Sequence, residues 1–123
     1  MLISDLGGGK TTLTKSIVAG TGSADEVSSP SFTLTNRYQA PQGFELAHYD
    51  FYRLQEGGVL AEALKEDLAS RQIVTILEWP EIIEGLIEDP ALVVSITAVS
   101  DTQRVIELDD PSESYQHLLK DLQ

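Results

Sequence analysis

A glycine-rich segment close to the first residue has the composition and spacing of a loop that binds phosphate. It reads Ser4-Asp5-Leu6-Gly7-Gly8-Gly9-Lys10-Thr11-Thr12 and follows the short apolar stretch Met1-Leu2-Ile3. The segment matches the fixed positions of the Walker A pattern G-x-x-x-x-G-K-[ST] except at Ser4, where the pattern has its first glycine. Glycines let consecutive backbone N–H groups turn inward around an anion, and the following helix adds its positive end. We therefore expect the phosphates of a nucleotide cofactor to be bound by Asp5, Leu6, Gly7, Gly8, Gly9, Lys10, Thr11 and Thr12.

The two residues that follow the glycines have separate roles in this pattern. Lys10 would reach the β- and γ-phosphate oxygens, and the Thr11 hydroxyl would be a ligand of a magnesium ion, Mg²⁺. The plainer alternative is a glycine-rich turn that caps an ordinary helix. The position of the segment between a strand stub and a helix favours the phosphate loop. Serine at position 4 is small, and we expect it to be tolerated at some cost in nucleotide affinity.

Two acidic residues are candidates to complete the site. His48, Asp50 and Tyr52 alternate along a predicted strand, so their side chains point to one face. A carboxylate at Asp50 would hold the water shell of Mg²⁺ or orient the attacking water. Glu78 follows a nearly all-apolar run, residues 73–77, at the end of a strand where open α/β sheets hold ligand-facing residues. We assign Glu78 to Mg²⁺, and we name Lys10, Asp50 and Glu78 as the catalytic candidates.

For each of these acids a structural alternative stays open. Asp50 would then pair with Arg53 or another cation, and Glu78 would be an exposed acid at a strand end. For His48 a structural histidine with a satisfied hydrogen bond is the favoured interpretation. Residues 29–33 could form a switch segment or an ordinary loop, and Arg104 could approach the nucleotide base or ribose or lie in solvent.

Strands and helices alternate along the chain, which favours an α/β fold with a mainly parallel sheet. Hydrophobic periodicity predicts helices over residues 10–19, 59–69 and 80–87, and a last helix that Ser112 would cap. Inward-facing residues of the second helix are predicted to be Leu60, Ala63, Leu64 and Leu68. Strands are predicted over residues 32–38, 44–54, 73–77, 92–99 and 104–108. The expected fold class is a P-loop NTPase-like three-layer sandwich, with the hairpin of residues 32–54 as an antiparallel addition.

Length and composition predict one domain over residues 1–123 and exclude several classes of protein. Hydrophobic residues make up 41% of the chain, enough for a core, and the absence of cysteine rules out disulfides and thiolate zinc sites. No apolar run is long enough to cross a membrane, so we expect a cytoplasmic protein. The strand before the loop has only three residues, which leaves open a missing N-terminal segment.

The charge of the chain argues against direct, tight binding of nucleic acid. The formal net charge is −12, and the eight lysines and arginines are scattered rather than clustered. Neutralising a phosphate backbone requires clustered positive charge. Any contact with a nucleic acid would therefore run through a more basic partner.

Four short motifs in a fixed order resemble those of the TsaE family, the ATPase component of bacterial tRNA threonylcarbamoyladenosine synthesis. They are residues 5–12, Ser29-Pro30-Ser31-Phe32-Thr33-Leu34, His48-Tyr49-Asp50-Phe51-Tyr52-Arg53 and Glu78-Trp79-Pro80-Glu81. The resemblance implies Mg-ATP binding, slow ATP hydrolysis and a role for Asp50 in that reaction. It also implies TsaD-like and TsaB-like partners, which place threonylcarbamoyl on the adenosine beside the tRNA anticodon. Contact with tRNA would be indirect, through those partners.

Two other functions remain open for a chain with this loop. A small-molecule kinase usually has an arginine-rich lid over the phosphates, and the late part of this chain has only Arg104. A non-catalytic module that binds a partner is compatible with Ser4 and with the short first strand. A GTPase is disfavoured, because no Asn-Lys-x-Asp segment is present to recognise guanine.

Overall fold

A single mixed sheet forms the centre of the computed structural model. The structure describes residues 1–5, 7–27, 35–51, 58–78, 87 and 92–122. The strands in this part are β1 (Leu2–Ile3), β2 (Thr35–Gln39), β3 (Glu45–Asp50), β4 (Ile73–Glu78), β5 (Val93–Ala98) and β6 (Arg104–Asp109). Their order across the sheet is β2-β3-β4-β1-β5-β6. The central strands β3, β4, β1 and β5 run parallel, while β2 and β6 are antiparallel edges.

Helices cover the two faces of this sheet, which gives three layers. The described helices are α1 (Lys10–Gly20), α2 (Gly58–Ala69) and a short α3 (Gln116–Lys120). Val18 of α1 packs with Leu46 and Ile76 on one face, whereas Leu64 of α2 packs with alternate strand residues on the other. The predicted three-layer α/β sandwich with a mainly parallel sheet is confirmed.

The predicted antiparallel addition is the hairpin of β2 and β3. Its register runs from Thr35 opposite Tyr49 to Gln39 opposite Glu45. The connection closes where the Gly43 N–H donates to the Ala40 carbonyl at 3.0 Å. Gly43 has a φ of 96°, a conformation that glycine adopts without steric penalty. The hairpin matters for the site because β3 then lies parallel to β4, with Asp50 level with Glu78.

A buried polar network explains one wrong prediction on α2. Leu68, predicted to face inward, is 44% exposed, while the neighbouring Asp67 is only 5% exposed. Asp67 accepts two hydrogen bonds from Arg37 at 3.0 and 2.8 Å, and the Tyr49 hydroxyl donates to it. Burial and the adjacent Asp67 carboxylate raise the pKa of the Tyr49 hydroxyl. Because two strands supply these donors, the carboxylate rather than the leucine occupies the inner position.

Two further expectations are corrected at β4 and near α3. The apolar run of residues 73–77 is typical of a strand buried on both faces, but Val74 in the amino-terminal half of β4 is 48% exposed. Ser112 does not cap the last helix, because the backbone N–H from which its hydroxyl accepts is that of Ser114, at 3.3 Å, and α3 begins only at Gln116. The same hydroxyl donates to the Asp110 carboxylate at 3.0 Å. Asp110 instead accepts from the Tyr115 backbone N–H at 2.6 Å, and α3 starts one residue later. The predicted helix over residues 80–87 lies outside the described residues except for Ile87.

Within the part of the chain that the structure describes, no helix is both long and apolar enough to span a bilayer.

The salt bridge of β2 and β3 predicts a small dependence of stability on pH. Arg37 donates to Glu45 at 2.5 Å, and this hydrogen bond lowers the pKa of Glu45 below its ordinary value of 4.5. The stabilisation is therefore fully present above pH 4.5 and is lost as the pH falls through the lowered value. Because Arg37 is partly exposed, we expect Glu45→Gln to lower the free energy of unfolding by less than about 1 kcal/mol at neutral pH.

Urea unfolding across the acid range measures this effect. The difference between parent and Glu45→Gln should shrink as the pH is lowered from about 5 to about 3. Glu107→Gln, at an exposed position of β6, is the matched control and should show no such trend. A difference that grows toward low pH would contradict the assignment.

Candidate nucleotide-binding site

The predicted phosphate loop lies between the carboxyl end of β1 and the start of α1. Gly7 and Gly9 have positive φ values of 75° and 112°, and the Gly8 N–H donates to the Asp5 carbonyl at 3.0 Å. The first helical hydrogen bond runs from the Leu13 N–H to the Gly9 carbonyl at 2.9 Å. Among the described residues no side chain caps this helix start, so its backbone N–H groups are suited to an anion.

Lys10 turns back into the loop instead of extending into solvent. The residue is only 6% exposed. Its ammonium donates to the Ser4 carbonyl at 3.2 Å, to the Ser4 hydroxyl at 3.0 Å and to the Asp5 carbonyl at 3.3 Å. This arrangement holds a positive charge at the mouth of the turn, where a phosphate would approach the N–H groups.

The threonines of α1 divide between anchoring and exposed positions. Thr14 is fully buried, and its hydroxyl donates to the Lys10 carbonyl at 3.0 Å, which ties the first turn together. Thr11, the predicted Mg²⁺ ligand, is half-buried directly after Lys10, and Thr12 is exposed. Leu6, also predicted to bind phosphate, lies outside the described residues.

The two acidic candidates share a face of the sheet with α1. Asp50 and Glu78 are level in the parallel register, and both are 3% exposed. His48 precedes Asp50 by two residues and therefore points to the same face. The strand register places Asp50 and Glu78 side by side at the ends of β3 and β4. The predicted alternative partner of Asp50, Arg53, lies outside the described residues.

His48 and Glu78 form a buried hydrogen-bonded pair. The Nε2 atom of His48 lies 2.8 Å from the Glu78 Oε1, and the two side chains are 0% and 4% exposed. An ionised carboxylate only accepts, so Nε2 carries the proton in this contact. The interpretation of His48 as a hydrogen-bonded structural histidine agrees with this contact, and its partner is the predicted site acid. Its Nδ1 has no partner among the residues that the structure describes.

A cavity of about 490 Å³ opens beside the loop, against the hairpin of β5 and β6. Its polar lining includes Thr12, Asp101, Thr102 and Arg104, and its apolar lining includes Ile96. Arg104 donates from Nε to the Gly8 carbonyl at 3.3 Å and from a terminal nitrogen to Ser100 at 2.7 Å. The arginine is thus joined to the loop and is not a purely solvated side chain.

Sequence reasoning did not single out Asp101 and Thr102 as residues of this site. They lie in the turn between β5 and β6, which the sequence marks only as polar. The turn reaches the glycine loop because β5 pairs with β1 in the sheet, with Leu2 opposite Val94. No local signal in residues 100–103 indicates that neighbour.

A glycine loop between a parallel strand and a helix, with its lysine turned inward and an acidic residue ending the adjacent strand, defines a P-loop NTPase-like fold. The family model described as "Threonylcarbamoyl adenosine biosynthesis protein TsaE" matches residues 1–106. The chain therefore belongs to the TsaE family, which acts in tRNA threonylcarbamoyladenosine biosynthesis. The predicted resemblance to this family is confirmed.

Individual relatives agree with this assignment. The chain is 32% identical over 104 residues to the tRNA threonylcarbamoyladenosine biosynthesis protein TsaE of Haemophilus influenzae, across 85% of this chain and 65% of that protein. It is 38% identical over 104 residues to the protein of that name from Streptomyces coelicolor, across 83% of this chain and 70% of that protein. It spans 61% of the similarly named Rickettsia conorii protein, at 31% identity over 88% of this chain.

A solved structure is similar over almost the whole chain. The crystal structure of Bacillus subtilis YdiB superposes with a TM-score of 0.75 at 28% identity, covering 98% of this chain and 73% of that one. This likeness agrees with the three-layer architecture described above.

The His48–Glu78 contact predicts a large difference between the two histidines of the chain. His48→Ala would leave the buried Glu78 carboxylate without this donor, and we expect a loss of about 3 kcal/mol in the free energy of unfolding. His117→Ala, at an exposed position, is the matched control and should change that free energy by less than about 0.5 kcal/mol. Chemical denaturation of both variants provides the measurement. Equal, small effects would show that the buried pair contributes nothing.

Proposed function

We propose that the chain binds Mg-ATP at the glycine loop and hydrolyses it slowly, in support of tRNA threonylcarbamoyladenosine formation. The observation that carries this proposal is the inward turn of Lys10, whose buried ammonium faces the glycine loop at the start of α1. A cationic group beside the N–H groups of a helix start that no described side chain caps favours a polyphosphate over a neutral ligand. Membership in the TsaE family supports the same assignment.

Each residue of the site has a defined role in this proposal. Backbone N–H groups of residues 7–12 bind the phosphates, for which the Gly8 N–H must leave the Asp5 carbonyl, and Lys10 neutralises the β- and γ-phosphate oxygens as charge develops in the transition state. Asp50 orients the attacking water from the same sheet face. Arg104, joined to the loop at Gly8, lies beside the cavity that suits the base or ribose.

Oxygen ligands of the kind that magnesium prefers are present at this point. Mg²⁺ keeps several waters and is usually held by one or two protein oxygens together with phosphate oxygens. Among the described residues no cluster of three or more histidine, cysteine or acidic side chains is arranged to hold a metal. The Thr11 hydroxyl and the Glu78 carboxylate would hold the ion, which would supply charge neutralisation between the phosphates.

The buried pair of His48 and Glu78 has a supporting role. A carboxylate that binds a metal performs best when a second group fixes its orientation. The 2.8 Å contact with His48 holds the Oε1 atom of Glu78 in place, and the carboxylate would bind the ion through its other oxygen. A shift of either strand end would break this hydrogen bond, which is buried from solvent.

Partners are part of the proposal because the chain itself is poorly suited to contact tRNA. With a formal net charge of −12 and eight basic residues, it would repel a phosphate backbone. A TsaD-like and a TsaB-like protein would contact the tRNA, and ATP turnover in this chain would drive or reset their complex.

A pair of lysine variants tests the nucleotide site. Lys10→Ala removes the buried ammonium and should weaken Mg-ATP binding about 100-fold or more in calorimetry. Lys15→Ala removes an exposed lysine of the same helix and should leave the affinity unchanged. If Lys10→Ala bound Mg-ATP as tightly as the parent, the site assignment would be wrong.

A second experiment separates hydrolysis from binding. Glu78→Gln keeps the size of the side chain but removes its charge, so we expect the hydrolysis rate to fall by more than about tenfold, a larger loss than in ATP affinity. Steady-state phosphate release, with and without the purified partner proteins, measures this. Stimulation by a small metabolite and not by the partners would favour a kinase. Partner assembly without any nucleotide binding would favour the non-catalytic module.

A further inference from the structure

The side chain of Ser4 occupies a position where the Walker A pattern has a glycine, and it contacts both Lys10 and Gly8. We propose that Ser4 sets the nucleotide affinity of this loop. Its hydroxyl competes with phosphate for the Lys10 ammonium, and its volume requires glycine at position 8. The competition rests on the proposed binding of Mg-ATP, whereas the steric requirement does not.

The competition follows from the direction of the hydrogen bonds at Ser4. The Ser4 hydroxyl donates its proton to the Asp5 carbonyl at 2.9 Å, which directs a lone pair toward Lys10. The ammonium donates to that oxygen at 3.0 Å, a shorter distance than to either backbone carbonyl. An ammonium has three protons, so a phosphate oxygen must displace a present acceptor to reach it.

A glycine at position 4 would supply the carbonyl but not the hydroxyl. The backbone acceptors from Ser4 and Asp5 belong to the loop itself and would be there whatever the side chain. The hydroxyl is therefore the additional acceptor that this particular sequence places against Lys10. Removing it lowers the free energy of the loaded state relative to the free loop.

The steric requirement follows from the close approach of Ser4 to Gly8. A Cβ atom added at Gly8 would lie 2.3 Å from the Ser4 hydroxyl oxygen and 2.8 Å from the Ser4 Cβ. It would also lie 3.0 Å from the Asp5 carbonyl oxygen. Distances below 3.0 Å are not compatible with normal packing, so one group must move.

The backbone conformation at position 8 does not itself demand glycine. Gly7 and Gly9 have positive φ, but Gly8 does not, so an L-residue could adopt its conformation. Two of the three close contacts come from the Ser4 side chain. Positions 4 and 8 are therefore coupled by volume, and the glycine at 8 is a consequence of the serine at 4.

The first experiment removes only the hydroxyl. Ser4→Ala should bind Mg-ATP roughly three- to tenfold more tightly than the parent in calorimetry, because one acceptor no longer competes for Lys10. Ser114→Ala, a serine replacement at an exposed position far along the chain, should leave the dissociation constant unchanged. An unchanged or weaker affinity for Ser4→Ala would overturn the competition.

The second experiment tests the volume coupling by thermal unfolding without nucleotide. Gly8→Ala in the parent should lower the unfolding midpoint by roughly 5 °C, because it forces the loop apart. The same replacement in the Ser4→Gly background should lower it by less than half as much. Additive effects of the two replacements would overturn the coupling.

These two readouts separate failure of this inference from failure of the proposed function. If neither the parent nor Ser4→Ala binds Mg-ATP, the proposed function and the competition fall together. The thermal cycle still decides the coupling of Ser4 with Gly8. If the parent binds Mg-ATP and Ser4→Ala binds no more tightly, only the competition is lost.

Discussion

One tight turn of the backbone, at the end of β1, is the constraint on which the candidate site depends. The turn needs positive φ at Gly7 and Gly9, and it brings Lys10 back against the carbonyl of Ser4. Because the helix starts within the same few residues, the charge of the lysine and the positive end of α1 meet at one point. No other region of the described chain combines these features, and each of the other candidate groups is useful only through its position relative to this turn.

The parallel register of the central strands supplies that relative position. β4 lies directly beside β1, with Leu2 opposite Glu78, so the acid at the end of β4 lies beside the start of the loop. β3 lies on the other side of β4, and its parallel register brings Asp50 level with Glu78. The buried His48 side chain contacts the Glu78 carboxylate and fixes its position. A buried polar pair of this kind is stable only because its two members hydrogen-bond to each other. Since the hairpin strand β3 carries His48, this contact links the fold of the hairpin to the chemistry of the site.

The opposite face of the sheet also has a buried polar network, whose role is structural. Asp67, Arg37 and Tyr49 connect α2 to the β2–β3 hairpin, and the buried carboxylate is satisfied by donors from both strands. This network contacts one face of β3, while His48 and Asp50 lie on its other face, which α1 covers. One strand thus carries a supporting network on one face and candidate functional groups on the other, which follows from the alternation of side chains along a strand.

Local sequence by itself determined the loop, the helix that follows it, the hairpin turn and the candidate acids. Those features depend on residue types a few positions apart, such as glycines before Lys10 or alternation around Asp50. The tertiary structure alone decided that Asp67 and not Leu68 faces inward on α2, that Asp110 rather than Ser112 accepts from the backbone just before α3, and that the turn of Asp101 reaches the loop. It also decided that Ser4 and Gly8 share one space. These outcomes depend on contacts between residues that are distant in sequence or that a turn brings together. Hydrophobic periodicity along the chain does not indicate such contacts.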